Sequence, residues 1–283
     1  MPGIDTVHAF APAKINLTLH VTGQRTDGYH LLDSLVMLTD VGDHLRVRRA
    51  DRLTLSVTGP RAAGVPTDHQ NLVMRAAALL GVTAEITLEK HLPAAAGIGG
   101  GSSDAAATLR ALATLYGVPV PNDATLTALG ADVPVCMRNA VVRMQGIGDE
   151  LEAVAEPPDW PMILVNPGVE VPTGPVFAGL QQKENPPMEG VWPGQRAAQV
   201  DWLLRQRNDL QTPAIATQPV IGEVLAELTR SEGCLLARMS GSGATCFAIM
   251  ADQMARDAAV TAFRVTHPDW WVVPAQRCGD VFT

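Results

Sequence analysis

Between Leu92 and Asp104 the chain reads Leu-Pro-Ala-Ala-Ala-Gly-Ile-Gly-Gly-Gly-Ser-Ser-Asp, with every position from Gly97 to Gly101 except Ile98 a glycine. A backbone nearly free of side chains can turn its N–H groups toward an anion, and a helix starting there adds its positive end. Ser102, Ser103 and Asp104 are good helix-start residues. From Ala105 an apolar stripe at helical spacing continues through Leu109, Leu112 and Leu115. The segment reads as a phosphate cradle opening a helix. A flexible linker without a ligand is the competing reading, and the clean helix start argues against it.

Two common cradles are excluded. A Walker A loop ends in Gly-Lys-Ser/Thr, and the chain has no Gly-Lys pair. A dinucleotide fingerprint places its first glycine directly after a strand, whereas the expected strand Ala84–Leu88 is separated from Gly97 by the whole of Glu89–Ala96. The protein-kinase signatures His-Arg-Asp and Asp-Phe-Gly are also absent.

A formal net charge of −8 and the lack of any basic run exclude general nucleic-acid binding. A phosphorylated ligand must then be held by a few local cations and by backbone dipoles. The chain has 18 arginines but three lysines, Lys14, Lys90 and Lys183. In that background a lysine reads as a compact point charge with a task. Lys90 precedes the glycine run and Lys14 lies in a second motif-like segment, while Lys183 falls in an expected loop and reads as an ordinary surface lysine.

The length of 283 residues allows one large domain or two ordinary ones, and 47% apolar residues suffice for a core. No apolar window is long enough to span a membrane. Met1–Lys14 contains Asp5 and lacks the basic and apolar regions of a signal peptide. Cys136, Cys234, Cys246 and Cys278 form no Cys-x-x-Cys pair, which predicts neither a zinc site nor a disulfide framework. The expectation is a soluble, cytoplasmic protein with no membrane and no nucleic-acid partner.

Pro12–Val21 alternates strictly and predicts a half-buried strand, with Lys14, Asn16, Thr18 and His20 on its polar face. A turn-rich loop, Gly23–His30, follows. Leu31–Leu38 reads as a strand, Asp40–Asp43 as a turn, and Leu45–Val47 and Leu53–Val57 as further strands. Helices are expected over Asn71–Leu80, Asp123–Leu129, Ile221–Leu228 and Gln253–Phe263, a strand and turn over Val141–Gly148, and strands over Met162–Val165 and Thr245–Ile249. Glu156-Pro157-Pro158-Asp159 is the best domain boundary, and the second half reads as α+β. Trp270-Trp271 fits either core or an exposed patch.

Phosphoryl transfer needs a cradle for the donor phosphates, positive charge on the transferred group, and a carboxylate facing the acceptor hydroxyl. Gly97–Ser103 supplies the first, Lys14 is the candidate for the second, and Asp132 for the third. Asp132 sits just past a glycine helix stop and before Pro134, so a turn-capping role competes with the catalytic one.

The joint pattern resembles the GHMP kinase superfamily. Its three motifs appear in order as Pro12-Ala13-Lys14-Ile15-Asn16-Leu17, Pro93 to Ser103, and Met239-Ser240-Gly241-Ser242-Gly243-Ala244. Further segments resemble the branch whose substrate carries cytidine diphosphate: Gly23–His30, Gly130-Ala131-Asp132-Val133-Pro134-Val135, Asn166-Pro167-Gly168 with Val171-Pro172-Thr173, and Asn208-Asp209-Leu210. The resemblance spans residues 10 to 250. It implies a two-domain α+β fold with an active site in the cleft. Residues 1–156 would form a ribosomal protein S5 domain 2-like sheet-and-helix domain, and 157–283 a ferredoxin-like α/β sandwich.

It also implies ATP and Mg²⁺ as cofactors, transfer of the γ-phosphate to the 2-hydroxyl of a cytidine-diphosphate-linked methylerythritol, and a monomer or weak homodimer. By resemblance Asp132 and Lys14 are catalytic. Asn16, Tyr29, His30, Thr173 and Phe177 hold the substrate, with Tyr29 and Phe177 suited to bracket a cytosine by stacking. Asn71, Leu72, Lys90, Pro93, Ala94, Ala95, Ala96, Gly97, Ile98, Gly99, Gly100, Gly101, Ser102 and Ser103 bind ATP. The metal ligands stay open, with Ser102 or Ser103 in reach. One departure stands out: related loops are often glycine-rich straight after the proline, where this chain has Ala94-Ala95-Ala96, and alanine resists positive φ. A mevalonate- or homoserine-type kinase of the same superfamily and a non-catalytic nucleotide-binding relative remain the alternatives.

Overall fold

One long strand organises the first half of the chain. In the computed structural model, which describes residues 5–138 and 140–279, strands β1 (Thr6–Asn16) and β2 (His20–Gln24) both pair antiparallel with β3 (His30–Arg49). Met1–Ile4 of the amino-terminal stretch and the last residues, 280–283, lie outside the described residues. The turn expected at Asp40–Asp43 is absent, and β3 continues through it with an irregularity. Pro12 pairs with Gly42 and Lys14 with Leu38, so Thr39–Val41 of β3 bulge opposite Ala13 and the ladder resumes on both sides. Gly42 permits the close approach, since a Cβ there would overlap the Ala11 carbonyl oxygen and lie 2.6 Å from the Phe10 ring.

β4 (Thr54–Thr58) and β5 (Ala84–Glu89) are parallel neighbours joined through helix α1 (Leu72–Leu80). Asn71 caps α1 by accepting from Val73 N at 2.9 Å, and Gly81 closes it in the left-handed region. Helices α2 (Gly100–Tyr116), α3 (Asp123–Leu129) and α4 (Val133–Cys136) follow, then β6 (Val142–Gly146) and β7 (Glu150–Ala153). The strand order is β4-β5-β3-β6-β7, with β1 and β2 also on β3. Helix α2 starts earlier than its polar residues suggest: Gly99 is the N-cap, in the left-handed region, with no side-chain cap. Ser103 and Asp104 are buried inside the first turns instead of capping them.

Every strand after Ala153 belongs to a second sheet. It contains β8 (Met162–Asn166), β9 (Cys234–Met239), β10 (Cys246–Met250) and β11 (Trp271–Ala275), all antiparallel in the order β11-β8-β10-β9. Between β8 and β9 lie α5 (Thr173–Ala178), α6 (Arg196–Leu204), α7 (Gln211–Thr217) and α8 (Val220–Arg230), and α9 (Gln253–Thr266) precedes β11. This is the strand order of a ferredoxin-like sandwich. Strands β9 and β11 and helices α5 to α7 were not legible in the sequence, being short and flanked by polar turns. Trp270 stacks on His267 at 3.6 Å, while Trp271 opens β11 and packs against the core shared by both sheets.

The two sheets share that core. Ala13, Ile15 and Leu17 of the first half pack with Trp160, Leu164 and Phe247 of the second. The single half-buried strand predicted for Pro12–Val21 is interrupted at Leu17–Leu19, between β1 and β2, and this stretch is buried on both sides. Lys14, Asn16, Thr18 and His20 are all at most 4% exposed, and they face other protein groups instead of water. Arg238 of β9 fastens the same region, donating to the carbonyl oxygens of Leu17, Leu203 and Gln206 at 2.7–2.8 Å. Burial pushes its pKa down to about 10.

Candidate active site

A cavity of about 1320 Å³ opens between the end of β1, the amino-terminus of α2, the Ala131–Asp132 turn and α5. Lys14 sits at its centre. Its ammonium lies 3.0 Å from Asp132 Oδ2 and donates to Asn16 Oδ1 at 3.1 Å, although Lys14 and Asp132 come from unconnected elements. Asn16 is fixed in turn, since its Nδ2 donates to Ser34 Oγ at 2.8 Å. The Asp132 side chain makes no capping hydrogen bond to α4. Asp132 stands at the N-cap position with its carbonyl accepting from Cys136 N, while its carboxylate, about one-third exposed, lines the cavity beside the ammonium.

The glycine run wraps this pair by backbone contact. Lys14 N donates to Ile98 O at 2.9 Å, and a Cβ on Gly99 would lie 3.3 Å from Lys14 Cβ and Cε. Gly97 is held at φ +71° with its α-carbon against the Ser240–Gly243 loop, where a Cβ would overlap the Ser240 carbonyl oxygen. Ser240 ties all three motifs together: its hydroxyl donates to Gly97 O at 3.0 Å and accepts from Asn16 N at 3.1 Å. Asn208 braces the same loop by donating to Met239 O and Gly241 O. The first backbone N–H groups of α2 lack intrahelical acceptors and point out of the helix end, as an anion requires. Ala95 has φ +47°, the one positive value on a non-glycine residue among the described residues. The strain anticipated for the alanine run is therefore present, at that position.

All the residues expected to bind ligand line the cavity except Ile98 and Ser103. Ile98 is buried in the core and contributes its carbonyl. Ser103 is fully buried with an unpartnered hydroxyl, so of the two serines only Ser102 faces the cavity. Lys90 lines it too, but its ammonium is held by Asp43 and, at 2.7 Å, by Asp104. Asp43 also accepts from His91 N and Leu92 N, so it shapes the lead into the glycine loop. Burial pushes the Asp104 carboxyl up to about 7, with Lys90 opposing that rise and Asp43 adding to it. Among the described residues no group of three His, Cys, Asp or Glu could hold a metal ion.

Toward α5, the His30 and Phe177 rings are stacked at 4.7 Å, and Tyr29 is 60% exposed. Tyr29 and Phe177 both line the cavity, but the ring against Phe177 is His30. Burial lowers the His30 pKa, helped by the nearby Lys183 charge, and its Nε2 is buried without a partner. Thr173 Oγ1 lies 3.0 Å from Ser242 Oγ, linking α5 to the third motif. Sequence reasoning missed Asp43, the joining role of Ser240, and Lys183, which lines this cavity and was expected at the surface. The scarcity of lysine was a usable signal for the last.

Similarity to known proteins agrees with this geometry. The GHMP kinases N terminal domain matches residues 71–147, and GHMP kinases C terminal matches residues 196–267. A 4-diphosphocytidyl-2-C-methyl-D-erythritol kinase of Dinoroseobacter shibae is 58% identical over 277 residues, 96% of each chain. The chain belongs to the GHMP kinase family. A second such kinase, from Cereibacter sphaeroides, is 55% identical over 96% of this chain and 99% of its own. The crystal structure of a 4-(cytidine 5'-diphospho)-2C-methyl-D-erythritol kinase aligns with a TM-score of 0.79 at 32% identity, covering 96% of this GHMP kinase and all of that chain. A homoserine kinase from Cytophaga hutchinsonii shares the fold, with a TM-score of 0.70 at 18% identity over 97% of this chain and 96% of that one. ATP-dependent phosphoryl transfer to a small-molecule alcohol is the chemistry of this kinase.

Proposed function

We propose that this GHMP kinase phosphorylates the 2-hydroxyl of 4-diphosphocytidyl-2-C-methyl-D-erythritol, a step in the non-mevalonate route to isoprenoid precursors. The observation that carries the reading is the Lys14–Asp132 pair, 3.0 Å apart, in a cavity lined by both the glycine cradle and the His30–Phe177 stack. The names of relatives sharing more than half their residues with this chain support the same substrate.

Asp132 orients the acceptor hydroxyl and takes its proton. In a loose transition state that proton leaves late, so holding the hydroxyl in line matters more than full deprotonation. Lys14 stabilises the charge that develops on the transferred group, and Asn16 and Gly99 fix its position. The α2 amino-terminus and the Gly97–Ser102 backbone hold the donor phosphates. Asn71 and Leu72 lie at the nucleoside side, and Thr173, Tyr29, His30 and Phe177 hold the cytidine diphosphate. Mg²⁺ would enter with the ATP phosphates, with the Ser102 hydroxyl as the cavity-facing serine that would hold it, and would supply charge neutralisation. We read the chain as two domains, 1–156 and 157–283, working in the cytoplasm as a monomer or weak homodimer. The four free cysteines suit a reducing compartment.

A coupled ADP-release assay run in parallel on the cytidyl substrate, mevalonate and homoserine tests the substrate, and turnover on mevalonate alone, or on none, overturns the proposal. Asp132→Asn is expected to lower turnover by about 10²–10⁴-fold, the range for loss of a general base. Near-normal turnover in that variant would remove Asp132 from its role.

A further inference from the structure

The cavity is lined by every lysine of the chain and, among the described residues, by no arginine. Two of the three ammonium groups are already matched by acids. Lys14 faces Asp132, and Lys90 is held between Asp43 and Asp104. Lys183 differs: its Nζ donates to the neutral amide oxygen of Gln24 at 3.0 Å, and among the described residues it makes no ion pair with a carboxylate. In a protein of net charge −8 this leaves one uncompensated ammonium at the cavity wall.

Its location selects which anion it meets. Lys183 lies on the loop that follows α5, the helix carrying Thr173 and Phe177. Gln24, its partner, donates from Nε2 to Gly28 O at 3.0 Å and so braces the loop that presents Tyr29 and His30. The ammonium is close enough to His30 to lower the pKa of that ring, behind the larger effect of burial. Lys183 therefore belongs to the Tyr29–His30–Phe177 side, whereas the phosphates of the donor are met by the α2 amino-terminus. A partly exposed lysine on a neutral acceptor can exchange that acceptor for a phosphate oxygen, gaining a charge-assisted hydrogen bond.

We propose that Lys183 is a specificity residue that reads the diphosphate of the acceptor substrate, distinguishing it from unphosphorylated alcohols. This rests on the cytidine-diphosphate reading of the site given above.

The test compares CDP with cytidine as inhibitors of the full-length enzyme, in the parent, Lys183→Gln and Lys183→Arg. Loss of a charge-assisted bond is expected to weaken CDP inhibition about tenfold to hundredfold in Lys183→Gln, and to lower kcat/KM for the cytidyl substrate similarly. Inhibition by cytidine, which has no phosphate, should move by less than about twofold, and the KM for ATP likewise. Lys183→Arg should recover most of the CDP effect. Equal weakening of CDP and cytidine would mean that Lys183 only orders the Gln24–His30 loop, and unchanged CDP inhibition would mean that it does not touch the diphosphate; either overturns the assignment alone. A parent enzyme that neither uses the cytidyl substrate nor responds to CDP overturns the reading of the site and this assignment with it.

Discussion

Asp104 shows how far a single side chain can depart from its apparent purpose. It looks like a helix cap, yet it is buried against Lys90, with Oδ1 unpartnered and its carboxyl pushed up to about 7, chiefly by burial. In the unfolded chain the same group titrates near 3.8. Between those values the folded chain keeps a proton that the unfolded chain has lost, so this residue's contribution to stability falls as pH rises from about 4 to about 7. Asp104→Asn should remove that loss, and the gap between variant and parent in urea unfolding should widen with pH across the window; a constant gap would refute it. Ala95 provides a second test. Its left-handed backbone costs about 1–2 kcal/mol, so Ala95→Gly should be neutral or stabilising by up to about 1 kcal/mol after the added chain entropy. Ala95→Val should lower the melting temperature. At this scale Lys14 stood out by the scarcity of lysine and by its motif, while Asp132, one of 29 acids, was singled out only by the joint pattern of motifs. The Asp43–Lys90 pairing was not legible, since its members are 47 positions apart and only the β3–β5 register brings them together.

Among the elements, periodicity recovered most of the longer helices and the short, well-punctuated strands, and it failed where a partner overrode local signals. Asp40-Val41-Gly42-Asp43 has turn composition, but β1 pairs with β3 on both sides of it, so the local signal ends as a bulge at Thr39–Val41 and β3 continues through it. Gly42 serves there as a point of close strand approach. Gly42→Ala must push Cβ into Ala11 O and the Phe10 ring, and it should cost about 1–3 kcal/mol as overpacking does, read from the shift in denaturation midpoint. The polar side of Pro12–Val21 was misjudged for a related reason: alternation reports which side differs chemically, and here Lys14 and Asn16 line the cavity while Thr18 and His20 meet the Pro186–Met188 loop. Asn71 combines two duties, since Oδ1 caps α1 and Nδ2 donates to Pro66 O at 2.7 Å. Asn71→Ala should therefore lose about 1 kcal/mol of stability as well as raise the KM for ATP.

Across the whole molecule, the sheets meet through one apolar core in which Ile15 and Leu17 are covered by Trp160, Leu164 and Phe247. A fragment ending at residue 156 would expose that face. It is expected to be non-native on its own, while the full chain unfolds in a single calorimetric transition. Two separate transitions would show that each half is stable independently. The Ser240 hydroxyl adds a consequence for biosynthesis. It binds Asn16 N across 224 residues and Gly97 O across 143, so the first two motifs leave the ribosome well before the group that holds them in register. A nascent chain halted before β9 would carry the lysine, the aspartate and the glycine loop, joined by the Lys14 N–Ile98 O bond and the Lys14–Asp132 pair but without the hydroxyl that holds Asn16 and Gly97 in register. Competence to bind nucleotide should therefore arrive late in synthesis, and nucleotide binding by ribosome-held chains ending before β9 and after Ala244 checks it.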